Sequence, residues 1–362
     1  MIPIAKPLID EAEKQNVLEV LDSGMIASGD YVREFENRFA TYIGSKYAAA
    51  TSSGTTALHV ALKAAGIKEG DKVLTTPFTF VASSNSILYC EGEPVFTDVK
   101  EDSFNIDPVQ IRKKLEENPD IKALLIVHLF GLSCDMDAIM ELVKEYNLTL
   151  IEDCAQAHGA EYNGKKVGSF GDVSVFSFYP TKNMTTSEGG IVVTDSSEII
   201  DKAKMLIDHG SSKRYEHKIL GYNYRMTNLA GAIGLKQLDK LDDFNHKRIE
   251  NAKYFTDKLN DTKGIELPLY PDNKKHVFNL YTLKIENRDE FASYLEENGI
   301  GYGIHYPAPI YKQSLYQDLG FGNLQFPVTE KLCKQVISIP VHPGLSIEDR
   351  EKIVKTIKDY SF

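Results

Sequence analysis

The amino-acid sequence predicts an α/β protein, a mostly parallel sheet covered by helices, with a smaller α+β unit after it. Three observations predict this. Short apolar runs alternate with amphipathic runs of helical period through the first two hundred residues, the pattern of repeated βαβ units. A long helical stretch then runs from about Thr227 to Leu259. Beyond it, strand and helix patterns are shorter and sparser.

The elements follow in order. "DEAEKQNVLEVLDSG" predicts a helix with Asp10 as its cap and Gly24 as its stop. "TTALHVALKAAG" places Leu58, Ala61, Leu62 and Ala65 on one helical face. "KVLTTPF", "FVASSNSILYCEG", "PVFTDV", "DPVQIRKKLEE", "ALLIVHLFG", "DMDAIMELVKEYN" and "LTLIEDCAQ" continue the alternation, and "GGIVVTD" with "SEIIDKAKMLIDHG" closes it. The C-terminal unit contains "NLYTLKI", "RDEFASYLEENG", "YGIHYP" and "SIEDREKIVKTIK". A large domain, 1–240, and a small one, 241–362, are expected, hinged at the long helix of about 227–259.

Composition narrows the function. The 362 residues are 42% hydrophobic and 26% charged, ordinary for a soluble globular chain. A net charge of −11 argues against nucleic acid and anionic membranes as partners, since both need a basic face. The start, "MIPIAKPLIDEAEK", has no apolar signal core, and "ALLIVHLFGL" is too short to span a bilayer. Cys90, Cys134, Cys154 and Cys333 have no metal-type spacing and read as reduced thiols of a cytoplasmic protein. No histidine clustering suggests a metal. "GAEYNGKK" imitates a P-loop, but Lys166 stands where magnesium needs a hydroxyl. Asn163-Gly164 reads better as a type I′ hairpin turn. No GxGxxG follows a strand.

Three features remain. In "ATSSGTTALHVAL" a strand runs through Ser-Gly-Thr-Thr into a helix, where free N–H groups and hydroxyls could cradle a phosphate; taken alone, Ser53 to Thr55 are better read as a helix cap. "LTLIEDCAQ" ends a buried strand on Glu152-Asp153, where α/β proteins bind ligands, although Asp153 alone serves equally as a cap. "VSVFSFYPTKN" sets Lys182 just past another buried strand. A loop lysine is ordinarily solvated, but one desolvated by close packing has a lowered pKa and becomes a nucleophile able to form a Schiff base. Together the three supply what pyridoxal phosphate requires: a phosphate cradle, a carboxylate for the pyridinium nitrogen and a lysine for the aldehyde. Beside a pyridinium, Asp153 is expected below the usual carboxylate range.

"SSGTTALHVAL", "TTPFTFVASSNSIL", "IEDCAQAHGAEYNGKKVGSFGD", "FSFYPTKNMTTSEGGIVVTD", "LGYNYRMTNLAGAIGL" and "IHYPAPIYKQ" resemble the DegT (StrS-like) family of nucleotide-sugar aminotransferases, in order and over nearly the whole chain. The resemblance implies the type I fold of pyridoxal-phosphate enzymes (aspartate aminotransferase-like) and a homodimer with active sites shared between subunits. It implies Lys182 as the Schiff-base lysine and Asp153 as partner of the ring nitrogen. Gln156 is implied at the ring hydroxyl and Phe80 as a stacking wall. The phosphate is implied among Thr55, Thr56 and Ser177, with Asn223 reaching in from the other subunit. Arg225, His305 and Tyr306 are implied at the substrate. Lys213, Arg214, His217 and Lys218 form a basic cluster suited to a nucleotide diphosphate, although each alone also reads as part of an ordinary solvated loop. "TTSEGG" puts Ser187 where "TTGEGG" is common.

The implied reaction moves the amino group of L-glutamate to a keto-sugar nucleotide, with pyridoxamine phosphate in between. "HYPAP" resembles members acting at the third ring carbon and "MIPIAKP" members acting at the fourth; the third is preferred. A sugar dehydratase is the alternative within the fold, disfavoured because those members replace the lysine with histidine. A cofactor-binding regulatory protein without turnover is the other.

Overall fold

A computed structural model of the chain describes residues 1–361. Helix α1 (Glu11–Ser23) begins in a capping box: Asp10 accepts the Ala12 N–H, and the Glu13 carboxylate returns to the Asp10 N–H. Gly24, at φ 69°, ends it as expected. Helix α2 (Asp30–Ile43) buries Val32, Phe35, Phe39 and Ile43 along one stripe.

The central sheet is built from β1 (Tyr47–Thr51), β2 (Lys72–Thr75), β3 (Glu93–Phe96), β4 (Ile121–Val127) and β5 (Thr149–Asp153), interrupted by a hairpin of β6 (Glu161–Tyr162) and β7 (Lys165–Lys166), and completed by β8 (Val173–Ser177) and β9 (Gly190–Thr194). Its order is β1-β9-β8-β5-β4-β2-β3. The run from β8 to β3 is parallel, and β9 alone is antiparallel to both of its neighbours. β1 therefore points the same way as β5 and β8, and the C-terminal ends of all three meet at one edge. Asp153, the last residue of β5, pairs with Val127 on one side and Val175 on the other.

Helices α3 (Gly54–Ala64), α4 (Val81–Tyr89), α5 (Pro108–Glu117) and α6 (Met136–Tyr146) supply the crossovers, and α7 (Ser197–Ile207) follows β9. The single apolar face expected for α3 is too narrow. Ala57, His59, Val60 and Ala64 are buried with Leu58, Ala61 and Leu62, whereas Ala65 is a half-buried cap. The helix is packed on several sides, by α4, α7, β8 and β9. The Asn163-Gly164 turn has φ 49° and 77°, the mirror-image turn the sequence predicted. All four cysteines are free and buried.

Helix α8 (Asn228–Leu259) matches the predicted long helix, with Thr227 as its cap. At ~1.5 Å per residue it is about 48 Å long. Leu235, Leu238 and Leu241 join the cluster beneath the central sheet, whereas Ala252, Phe255 and Leu259 join a second core. That core lies on an antiparallel sheet of Ile265–Glu266, Tyr281–Ile285 and Val336–Ile339, with helices Arg288–Glu297 and Ile347–Asp359. Ile2 also sits in it: its N–H donates to Gly299 O at 2.8 Å, and Gly301 N–H donates back at 2.7 Å. Among the described residues no helix is long and apolar enough to cross a membrane.

Candidate active site

A cavity of about 640 Å³ opens at the edge where β1, β5 and β8 end. From β1 the chain enters α3 through a second capping box, in which Ser53 Oγ accepts the Thr56 N–H at 3.1 Å and Thr56 Oγ1 accepts the Ser53 N–H at 3.0 Å. The box occupies the Thr56 hydroxyl, so of the predicted pair only Thr55 lines the cavity. The N–H groups of Gly54 and Thr55 stay without intrahelical partners at the positive end of the helix. A Cβ on Gly54 would lie 2.7 Å from Ser177 Cβ, and one on Gly190 would lie 2.3 Å from Ser53 O. Those two glycines let the ends of β8 and β9 press against the helix start, which brings the Ser177 hydroxyl to it.

Strand alternation decides between the two carboxylates that end β5. Glu152 turns into the protein. Its oxygens accept the N–H groups of Gly168, Phe170 and Gly171 at 2.7–2.8 Å and His128 Nε2 at 3.0 Å. His128 Nδ1 accepts the Cys134 N–H, so the ring proton sits on Nε2. His128, Glu152 and Cys154 bring possible ligand atoms within 4.8 Å of one another, but Glu152 already takes four donors and clamps the 168–171 turn. Asp153 faces the cavity at 4% exposure, with Oδ2 accepting from Ser83 Oγ at 2.8 Å and Oδ1 from the Ala155 N–H at 3.0 Å. Burial pushes its pKa up. The two hydrogen bonds and the charge of Lys182 pull the other way and do not win. The expected depression thus needs a cation closer than Lys182.

Lys182 follows β8 in a turn closed by its own N–H on Tyr179 O at 2.9 Å. Its half-buried side chain opens on the cavity and makes no hydrogen bond or ion pair among the described residues. Burial lowers its pKa to about 8, with Asp153 partly restoring it. Close to neutral pH the amine is therefore available as a base and nucleophile.

Comparison with known proteins fits this arrangement. The sequence profile of the DegT/DnrJ/EryC1/StrS aminotransferase family matches residues 7–358. The chain belongs to that family.

As an aminotransferase it has named relatives. It is 39% identical over 350 residues to the dTDP-3-amino-3,6-dideoxy-alpha-D-galactopyranose transaminase of Aneurinibacillus thermoaerophilus, covering 96% of this chain and 95% of that one. It is 37% identical over 366 residues to a protein of Geobacillus stearothermophilus named pleiotropic regulatory protein, covering 98% of each. Among solved structures it is similar to S. venezuelae DesV in complex with a ketimine intermediate, at 34% identity and a TM-score of 0.92, covering 96% of this chain and 93% of that one. The aspartate aminotransferase-like fold expected from the sequence is thus the fold of this aminotransferase.

The rest of the predicted set divides in two. Gln156, Phe80, His305 and Tyr306 line the cavity. Gln156 Oε1 accepts the Phe130 N–H at 2.9 Å and its Nε2 donates to Tyr306 Oη at 3.1 Å, so the amide orientation is fixed. Phe80 is 58% exposed, with its centroid 6.3 Å from that of Tyr306. Burial and the charge of Lys182 lower His305 to about 4, which keeps the imidazole neutral. Asn223, Arg225, Lys213, Arg214 and His217 do not line the cavity of their own chain. The last three lie on an exposed hairpin, Ser211–Lys213 with Glu216–His217. Tyr222 and Tyr224 stack at 4.7 Å beside His59; Asn223 between them is exposed, and Arg225 pairs with Asp208.

Sequence reasoning missed Ser83, Tyr179, Thr181, Glu188 and Asn279 in the lining. The serine-rich face of "VASSNS" was a readable signal for Ser83, whereas Asn279 arrives from a distant segment without one. Ser187 has φ 72°, which explains why glycine suits that position. Its N–H donates to Thr185 Oγ1 at 3.0 Å, which holds the turn.

Proposed function

We propose that this aminotransferase binds pyridoxal 5′-phosphate and moves the amino group of L-glutamate to the ketone of a nucleotide-diphosphate sugar, with pyridoxamine 5′-phosphate as the carrier. One observation carries the reading: a lysine amine of lowered pKa, a buried carboxylate and a helix N-terminus with an apposed hydroxyl all face one cavity. These residues fit the cofactor. The glycine-opened approach of Ser177 to Gly54 leaves N–H and hydroxyl donors for a phosphate. Asp153 retains acceptor capacity beyond its two hydrogen bonds. When bound, the cofactor supplies the aldehyde that takes up the amino group and a ring that accepts electron density from the substrate carbon.

Asp153, oriented by Ser83 and Ala155, holds a proton on the ring nitrogen. Phe80 would wall the cavity beside the ring, and the second N–H of the Gln156 amide, the one not given to Tyr306, would be left for the ring hydroxyl. Lys182 removes the proton from the donor's Cα and later delivers one to the sugar carbon, which sets the new stereocentre. General acid–base work of this kind contributes about a hundred- to ten-thousand-fold. Neutral His305 and Tyr306 offer hydrogen bonds to the sugar. Retention of lysine at 182 supports transamination over dehydration.

The preferred acceptor is a 3-keto sugar, in keeping with the 3-amino product in the name of the Aneurinibacillus relative. A panel of 3-keto and 4-keto nucleotide sugars, each with glutamate and read by mass spectrometry, tests acceptor and donor together. The 3-keto members are expected to gain the amino group. The name of the Geobacillus relative favours a second reading, a regulatory protein without turnover. Bleaching of the loaded protein's visible absorbance by glutamate alone supports the enzyme; an unchanged spectrum supports the regulator.

The homodimer reading gives the outlying residues a use. Asn223 would reach the partner's phosphate, and Arg225, Lys213, Arg214 and His217 the partner's substrate. The exposure of Asn223, Lys213, Arg214 and His217 outside their own cavity supports this. An equal mixture of inactive Lys182→Ala and inactive Asn223→Ala chains, after verified subunit exchange, is expected to recover about a quarter of wild-type activity, because half the dimers are mixed and each holds one intact site of two. No recovery would place both residues in the site of one chain. The two cores threaded by α8 support units of 1–240 and 241–362, although Ile2 packs with the second. Four reduced thiols suit a cytoplasmic enzyme.

A further inference from the structure

Both neighbours of Lys182 in the chain are gripped by buried amides from elsewhere in the fold. Asn183 Nδ2 donates to Asn245 Oδ1 of α8 at 2.7 Å and to Val277 O at 3.0 Å. Asn183 Oδ1 accepts from Asn279 Nδ2 at 3.0 Å, and the same Asn279 group reaches Thr181 O at 3.3 Å. Asn279 thus holds the Thr181 carbonyl on one side of Lys182 and the Asn183 side chain on the other. Asn245 Nδ2 ends the chain on His158 O at 2.8 Å, in the segment that follows Asp153. One turn along α8, Arg248 fixes the carbonyls of Phe278 and Asn279 at 3.2 Å each. Asn183, Asn245 and Asn279 are all buried.

Such bonds add little net stability, because unfolded amides are equally well bonded to water. A fully satisfied buried network instead specifies one geometry. We infer that Asn183 is a positioning residue, which through Asn245 and Asn279 holds the backbone around Lys182 so that its amine stays on the cavity with Asp153. The inference rests on the reading of Lys182 as the reacting amine. The charged and titratable groups around that amine are Asp153 from β5, His158 after it, Arg248 from α8, His305, Tyr306, Tyr179, Glu188 and Lys6. None of them is altered by removing an asparagine amide. Without the grip the side chain gains access to water, and its desolvation falls.

The test uses the cofactor-free protein, labelled with trinitrobenzenesulfonate across a pH series and quantified on the peptide containing Lys182. Wild type is expected to reach half-maximal labelling near pH 8. In Asn183→Ala and in Asn279→Ser the midpoint is expected to rise by about one unit, which at pH 8 reduces labelling of Lys182 about fivefold. Asn251→Ala is the control. It removes the same chemistry from α8, but among the described residues its amide serves only Val341 O and His342 O, at 3.3 and 3.1 Å, so thermal stability should fall while the midpoint stays. An unmoved midpoint in a folded Asn183 or Asn279 variant overturns the inference, as does an equal shift in Asn251→Ala. If Asn183→Ala does not fold, Asn279→Ser decides. Borohydride reduction of the loaded wild type tests the underlying reading separately: fixation on another lysine removes the role of Lys182, whereas the labelling midpoints still report on the network.

Discussion

Lys182→Ala is expected to lose transamination by at least about ten-thousand-fold, the upper end of what one acid–base group contributes, because in the proposed reaction the residue is also the covalent anchor. The variant should keep its fold and still take up pyridoxal phosphate through the Gly54, Thr55 and Ser177 contacts, which a stoichiometric titration checks. Retained turnover would refute the assignment. A second consequence concerns stability. The amine titrates at about 8 in the folded cofactor-free protein, below its ordinary 10.5. A depressed lysine disfavours the fold at low pH: the penalty is fully present below about 8 and fades as pH rises through 10.5. Lys182→Met should therefore be more thermostable than wild type at neutral pH, and the difference should close in strong alkali.

Asp153→Asn is expected to lower turnover by about a thousand-fold, comparable to losing one strong electrostatic contact to the reacting system. The fold should survive. The Asn oxygen can still accept the Ala155 N–H, and the Ser83 hydroxyl can reorient toward Thr79 Oγ1, 3.2 Å away, while accepting from the new amide. In the cofactor-free protein the carboxylate lies above its ordinary pKa because it is buried. A raised carboxylate favours the fold at low pH, and that contribution is lost as pH rises through the folded value. Near neutrality, removing the buried charge should thus stabilise the empty protein, while the loaded enzyme loses the ion pair that justified it. Near-normal turnover in this variant would rule out the proposed role.

Much of this arrangement was legible because it is local. Asp10, Gly24, Thr227 and the Asn163-Gly164 turn are set by capping and turn chemistry within a few residues, and each lies where the sequence places it. Lys182 and Asp153 were legible from their places at strand ends, whereas Gln156 and Phe80 came from the resemblance alone; all four line the cavity. The full burial of α3 was not legible, since a period-3.6 pattern reports one buried face and cannot register packing on the others. Thr56 was assigned to phosphate although the same Ser-Gly-Thr-Thr sequence encodes a capping box, and only geometry separates the two uses of one hydroxyl. Asn279 was out of reach, because its place at the cavity depends on a segment nearly a hundred positions from Lys182.

The seating of Ile2 in the second core bears on how the chain is made. Ile2 is held by Gly299 and Gly301, and Ile4 and Ala5 next to it line the cavity. At about 5–20 residues per second, that opening segment leaves the ribosome some 15–60 s before its partners exist. The central sheet can assemble in the meantime, but one wall of the cavity cannot. The cavity is therefore closed on that side only once the segment around Gly299 and Gly301 has been made, and until then a nascent chain carries Lys182 without the full enclosure that lowers its pKa.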